Sequence, residues 1–372
     1  MTCALFTLLF IYAKYMNFHA KIVKDSLLYL LTNTFFLCII FVVIIQNCRL
    51  AVLIDPFCKR GLPMKKVFID GSAGTTGLRI HERLADRADL EIIRLPEALR
   101  KDTAARRDAL NQADIAFLCL PDAAAIEAVS LVDNPNTAII DTSTAHRVSP
   151  DWVYGFAELK GLREQIAHSK RIANPGCHAS GFLALVTPLV GAGLLSPDAA
   201  LTCFSLTGYS GGGKKMIAEY ESDERAKLLD APRMYGLSQK HKHLPEMAAI
   251  AGLDHDPIFC PIVASYACGM EVTVPLFAHQ LNGTIDDVKE LYRTYYQTGL
   301  VRFVDAPDAN EGGFLAANAL SGRDDMEVSV VGNGDRILLV SRFDNLGKGA
   351  SGAAIQNMNI LLGADEATGL NV

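Results

Sequence analysis

A short apolar run, Val67-Phe68-Ile69-Asp70, enters Gly71-Ser72-Ala73-Gly74-Thr75-Thr76-Gly77 and then an amphipathic segment reaching Leu84. Strand, glycine turn and helix in that order leave few folds open. The glycines let backbone pass close to backbone, and they let phosphate oxygens approach the unpaired N–H groups of a helix start. Gly-x-x-Gly-x-x-Gly is a variant of the dinucleotide fingerprint, so Gly71, Gly74, Thr75, Thr76 and Gly77 are candidate cofactor-binding residues. The next strand, Leu90-Glu91-Ile92-Ile93, ends in Arg94, where an acidic residue would serve the ribose hydroxyls of NAD. Arg94, backed by Arg100 and Lys101, suits a 2′-phosphate, and the expected cofactor is NADP(H). The alternative is an ordinary solvated basic surface.

Strand and helix continue to alternate: Asp114–Pro121, then Ala123–Leu131, then Ala138–Asp141. That pattern predicts a doubly wound parallel sheet. The segment Asp141-Thr142-Ser143-Thr144-Ala145-His146-Arg147 leaves the last of these strands at the edge where ligands bind. Ser143 and Arg147 are candidate substrate-binding residues for a phosphate or carboxylate; the hydroxyls would otherwise only cap the turn.

Asn174-Pro175-Gly176-Cys177 follows the short run Arg171-Ile172-Ala173 and opens the long apolar segment Gly181–Val186. A thiol on the first turn of a helix meets unpaired N–H groups and the positive end of the dipole, which favour thiolate, the nucleophilic form. Cys177 is therefore the candidate nucleophile, against the alternative of a small buried hydrophobe. Beyond it the strands lengthen and spread out: Leu201–Leu206, Pro257–Val263, Gly269–Leu276, Met326–Val331 and Arg336–Phe343, with a helix near Ile285–Tyr296. They predict a mixed or antiparallel sheet in a second, α+β domain. Within it, Thr207 to Lys215 offers an anion-binding nest at Ser210, Gly211 and Gly212, with Lys214 beside it. His241-Lys242-His243-Leu244-Pro245-Glu246 places two imidazoles just before a helix start, and either His241 or His243 is a candidate acid/base. Lys348 and Gly349 sit in a final glycine-rich loop that runs into a helix, expected to fold back over a cofactor; the alternative, compatible with it, is a C-terminal docking helix.

The expected domains are 64–176 for the cofactor, completed by 346–372, and 177–345 for catalysis and self-association. A net charge of -6 argues against nucleic acid as a partner. The nine cysteines contain no Cys-x-x-Cys pair, so neither zinc nor any other metal is expected, and free thiols suit a reducing compartment. Residues 1–63 differ in character, with a nearly uniform apolar run from Leu27 to Ile45. They read as sequence upstream of a start at Met64; the alternative is a membrane anchor.

Taken in order, Gly71–Gly77, Asn174–Cys177, Gly208-Tyr209-Ser210-Gly211-Gly212-Gly213-Lys214, the His241–Glu246 segment and Lys348-Gly349-Ala350-Ser351-Gly352 resemble N-acetyl-gamma-glutamyl-phosphate reductase of the short form, within the semialdehyde dehydrogenase superfamily. The resemblance runs from about Met64 to the C-terminus and covers none of residues 1–63. It departs at His178, where that family more often carries an aromatic residue such as Tyr. It implies NADPH-dependent reduction of an acyl phosphate to an aldehyde through a cysteine thioester, in arginine biosynthesis, by a cytoplasmic homo-oligomer. Aspartate-semialdehyde dehydrogenase, with the same chemistry, is one alternative; a non-catalytic NADP-binding regulator is another.

Overall fold

A computed structural model describes residues 64–309 and 311–372; both readings of residues 1–63 lie outside the described residues. The first sheet begins with β1 (Lys65–Asp70), whose last four residues are buried, and passes through the glycine turn into α1 (Thr75–Leu84). It continues with β2 (Leu90–Ile93), α2 (Thr103–Gln112), β3 (Ile115–Leu118), α3 (Asp122–Ser130), β4 (Ala138–Asp141), β5 (Val153–Tyr154), α4 (Leu162–His168) and β6 (Arg171–Ala173). The strands pair in parallel in the order β2-β1-β3-β4-β6-β5. This is the expected Rossmann-type sheet. β3 and β4 are buried throughout, as strands covered by helices on both faces must be.

β6 ends in the Asn-Pro-Gly turn, and α5 (Cys177–Gly191) starts at the cysteine. After α5 come β7 (Thr202–Gly208), α6 (Gly213–Glu221), β8 (Arg233–Met234), α7 (Leu244–Ala251), β9 (Ile258–Ala264), β10 (Met270–Phe277), α8 (Ile285–Tyr295), β11 (Val301–Phe303), β12 (Met326–Gly332) and β13 (Arg336–Phe343). These strands form a mixed sheet in the order β11-β12-β13-β10-β7-β9-β8, again as expected. A π-helical turn at Gly347–Ser351 leads into α9 (Gly352–Leu361), whose Ala354, Ile355 and Met358 pack with Val67, Ile69 and Ile140 against the first sheet.

α5 is apolar almost all round because it has no solvent face. Phe182, Leu183, Leu185, Val186 and Leu189 share one core with Val272 and Val274 of β10, Met247 of α7 and Tyr292 of α8. Gly181 lies so close to the sheet that a Cβ there would come within 2.8 Å of both Phe343 and Ser341. One residue breaks the helix ladder. Pro188 has no N–H to give the Ala184 carbonyl, and the Tyr296 hydroxyl donates to that carbonyl instead, at 2.7 Å.

Replacing Tyr296 with Phe removes that donor and leaves a buried carbonyl unpaired, which costs about 1–3 kcal/mol. The expected result is a melting temperature lower by several degrees with far-UV circular dichroism unchanged. A variant that melts with the parent would show that the Ala184 carbonyl is satisfied another way.

Candidate active site

The turn that presents Cys177 is fixed from both sides. Asn174 donates through Nδ2 to the Ala350 carbonyl at 3.0 Å and accepts through Oδ1 from Asn357 of α9 at 3.2 Å. Gly176 comes next, and only glycine fits. A Cβ at 176 would run into the Arg147 guanidinium and stand 2.6 Å from both Glu246 Oε1 and His243 Nε2. Three chemically distinct side chains, from two separate stretches of chain, thus converge on the residue before the cysteine. Gly349 packs on the other side, where a Cβ would lie 2.9 Å from that of Cys177.

Glu246, on the first turn of α7, organises this group. It is 1% exposed, and its Oε1 accepts from Arg147 Nη1 at 2.6 Å. Its Oε2 accepts from the Tyr154 hydroxyl at 2.6 Å and from the Gly176 N–H at 3.2 Å. Arg147 also donates from Nε to the Asn174 carbonyl at 3.0 Å and from Nη2 to the Thr142 carbonyl at 3.2 Å. Three of its five N–H groups are thereby used, and two remain for a ligand.

The packed site disfavours the thiolate, which corrects the expectation from the helix start alone. Burial pushes Cys177 up to about 11; Arg147 and the His178 N–H pull it down, and the Glu246 carboxylate pushes it up again. Desolvation outweighs these favourable contacts and the more distant charge of Lys242, so chemistry at this sulfur requires a base beside it.

Two imidazoles stand ready. His243 is buried, and burial, then Arg147, then the neighbouring His178, His241 and Lys242 lower its pKa well below the usual value. It is a neutral ring. Its Nδ1 has no hydrogen-bond partner among the described residues, and its Nε2 lies 4.0 Å from Glu246 Oε1. His241 is committed on one side, since its Nδ1 accepts the His243 backbone N–H at 3.2 Å. His178 completes a three-ring cluster with centroids 5.7 Å from His241 and 5.5 Å from His243. Both its nitrogens are occupied, Nδ1 with the Ser205 hydroxyl and Nε2 with the Tyr235 hydroxyl, each at 2.7 Å. Burial and then His241 lower its pKa to about 3, so it remains neutral.

The candidate cofactor residues separate into two groups. Gly71 has φ of +86°, a left-handed conformation that glycine takes without strain, and a Cβ there would strike the Cys119 carbonyl. A Cβ on Gly77 would stand 2.5 Å from the Gly71 carbonyl. Gly74 caps α1 with no side-chain acceptor on the first-turn N–H groups, which leaves them open to an anion. Gly71, Ser72 and Ala73 line a cavity of about 670 Å³ together with Arg94, Arg100 and Lys101. Thr75 and Thr76 follow on the first turn of α1. Across from Thr75 Oγ1, at 3.9 Å from a Cβ built on Gly213, comes the loop of Ser210, Gly211 and Gly212. Ser210 Oγ accepts from Asn345 Nδ2 at 2.9 Å. This set fits a dinucleotide: a glycine turn, open helix N–H groups and a cationic cavity.

Two of the candidate side chains are committed to partners inside the protein. Lys348 is 1% exposed, and its Nζ donates to Glu158 Oε1 at 2.8 Å, Glu158 Oε2 at 2.7 Å and Gln356 Oε1 at 2.5 Å. Its ammonium is spent inside the protein and does not face a cofactor, which corrects the expectation from the glycine-rich loop. Ser143 is buried against Asp141, to which both its N–H and its hydroxyl donate, at 2.9 and 2.7 Å. It stabilises the loop that carries Arg147 and offers no free donor for a substrate. Lys214 is exposed on the first turn of α6. The residue that sequence reasoning passed over is Glu246, quoted only as part of a motif. Its signal was its place on the first turn of the helix started at Pro245, where a carboxylate complements the dipole.

Among the described residues no group of three His, Cys, Asp or Glu comes together as a metal site, and no helix is long and apolar enough to cross a membrane.

Comparison with known proteins matches both halves of this fold to one family. Residues 82–169 match the NAD-binding domain of semialdehyde dehydrogenases, and residues 177–345 match their dimerisation domain. N-acetyl-gamma-glutamyl-phosphate reductases from Brucella ovis and Brucella canis are each 50% identical over 306 residues, covering 80% of this chain and 99% of theirs. Among solved structures, aspartate semialdehyde dehydrogenase II from Vibrio cholerae, complexed with ASA, superposes with a TM-score of 0.61 at 16% identity, covering 81% of this chain and 99% of that one. The Candida albicans aspartate semialdehyde dehydrogenase with NADP gives 0.57 at 17%, over 81% and 99%. Those structures share the fold, and half-identity across nearly the whole length of the reductases adds the family. The chain belongs to the N-acetyl-gamma-glutamyl-phosphate reductases of the semialdehyde dehydrogenase family.

Proposed function

We propose that the protein reduces N-acetyl-L-glutamyl 5-phosphate to N-acetyl-L-glutamate 5-semialdehyde and phosphate, with NADPH, as a step of arginine biosynthesis. The observation that carries the reading is the convergence of Arg147, Glu246 and His243 on Gly176, the residue before a thiol at a helix start. A site that holds its sulfur as a thiol beside a neutral imidazole is built for base-assisted attack on an activated acyl carbon.

As the Cys177 sulfur bonds to the acyl carbon, His243 takes the thiol proton; His241, whose Nδ1 is already committed, serves less well. The bond from acyl carbon to phosphate oxygen breaks, and phosphate leaves with the bonding pair and one proton from solvent. Arg147 directs its remaining N–H groups at the substrate's negative charge. The result is a thioester on Cys177, which keeps the carbonyl in place and away from water. When bound, NADPH supplies a hydride to that carbonyl carbon. The tetrahedral adduct on Cys177 then expels the sulfur as the aldehyde forms, and His243 returns the proton to it. Gly71, Gly74, Thr75, Thr76, Gly77, Ser210, Gly211, Gly212 and Arg94 hold the cofactor, with Gly349 giving it and Cys177 room to approach.

The five described cysteines are free, which supports a cytoplasmic location. A homo-oligomer, dimer or tetramer, is supported by the dimerisation-domain match and by the second sheet, whose face turned away from α5 leaves Phe204, Ile258, Phe277 and Leu338 exposed.

In the oxidative direction, with phosphate and NADP, N-acetylglutamate semialdehyde is expected to generate NADPH absorbance, and aspartate semialdehyde to give little. NAD in place of NADP should support much slower turnover, because Arg94 faces the cofactor cavity. A preference for aspartate semialdehyde would move the protein to the sister activity, and no turnover with either would favour a non-catalytic role.

Cys177→Ser should lower turnover at least about 10³-fold while leaving NADP binding intact. In the parent without substrate, iodoacetamide should alkylate Cys177 slowly at pH 7 and faster as the pH approaches 11, because the thiolate fraction grows toward the raised value. An alkylation rate that is already maximal at pH 7 would mean a standing thiolate.

A further inference from the structure

The charges around Cys177 do not balance for the substrate it has to accept. Arg147 is the cation nearest to hand, but Glu246 neutralises it at 2.6 Å, and the buried pair carries no net charge. An acyl phosphate brings a doubly charged group to this point. Some other positive charge has to meet it.

Lys242 lies between the two histidines of the turn. On either side the chain is fixed: the His243 N–H donates to His241 Nδ1, and the two rings meet edge to face at 4.8 Å. His243 points inward to Gly176, and Lys242 is exposed. Its ammonium makes no hydrogen bond or ion pair among the described residues, yet its charge reaches Cys177, His241 and His243. It also reaches Asp122, whose carboxylate accepts from the Thr144 N–H at 2.9 Å and thus sits on the loop that carries Arg147. The lysine therefore stands on an exposed turn whose next residue, His243, reaches the Gly176 that precedes the thiol, and its ammonium has no partner among the described residues. A compact ammonium on a flexible stem is a good partner for a phosphate that must arrive, be released and leave.

We propose that Lys242 is a phosphate-binding residue, holding the phosphoryl group of the incoming acyl phosphate, and the phosphate that leaves, over Cys177. This rests on the acyl-phosphate reading above, but not on which acyl group is carried. Arg147 and Lys242 then divide the work: the buried arginine fixes geometry, and the exposed lysine supplies the net positive charge.

The test uses inorganic phosphate and the full chain. Phosphate should protect Cys177 of the parent from iodoacetamide. In Lys242→Gln, half-protection should need at least about tenfold more phosphate, the loss of one charge contact, while Lys242→Arg should stay near the parent. In the oxidative assay, Lys242→Gln should raise KM for phosphate by a similar factor and leave KM for the aldehyde within about twofold. Parent-like phosphate dependence in Lys242→Gln, or absence of protection in the parent, would overturn the proposal. So would a glutamine variant that only shifts the pH dependence of alkylation, since the lysine would then act on the thiol and histidines alone. The protection measurement contains no aldehyde, so an error in substrate identity leaves it unaffected and shows only in turnover.

Discussion

The site depends on one buried carboxylate. Glu246 accepts from a guanidinium, a phenol and the backbone N–H of Gly176, and these donors come from the loop after β4, from β5 and from the start of α5. It therefore ties the parallel sheet to the cysteine turn through charge-assisted hydrogen bonds. Removing one member of a buried ion pair typically costs about 3–5 kcal/mol, because the other is left charged and unpaired. The arrangement also sets the reactivity of the sulfur. Arg147 favours thiolate, Glu246 opposes it, and burial decides for thiol. Neutral histidines, kept so by burial and by nearby cations, then become necessary rather than incidental.

A second buried pair supports the frame from behind. Lys348 and Glu158 bond below Phe156, whose ring centroid is 5.1 Å from the ammonium, and Glu158 also accepts the Leu300 N–H at 2.9 Å. Burial raises Glu158, but the ammonium and two further donors, Gln356 and the Leu300 N–H, outweigh it, and the carboxyl ends below its ordinary value. The π-helical turn that carries Lys348 thus grips the segment after β5, which places Gly349 against Cys177.

Much of the fold was legible from periodicity. The apolar runs at 115–118 and 138–141 read as buried strands, and the longer, more widely spaced strands after Cys177 marked a second, mixed sheet. The glycines at 71 and 77 announced a close approach, which the Cys119 and Gly71 carbonyls supply. Cys177 was legible because Pro-Gly precedes it. What could not be read was pairing across distance. Nothing in the residues around Lys348 says that Glu158, 190 positions away, takes its charge, so a loop lysine looked free. For the same reason Glu246 looked like a helix-start acid rather than the partner of Arg147, 99 positions earlier. The state of the thiol was misjudged because a helix start is a local feature, whereas burial is a property of the packed whole.

The central claim is that Cys177 carries the acyl group between the two halves of the reaction. Full-length protein mixed with N-acetylglutamyl phosphate in the absence of any nicotinamide cofactor, and quenched in acid, can be weighed intact and mapped by peptide mass spectrometry. The account predicts one acyl adduct per chain, on Cys177, that is released by hydroxylamine and lost as aldehyde when NADPH is added before the quench. An enzyme that turns over normally yet shows no adduct, or carries it on another residue, would contradict the account.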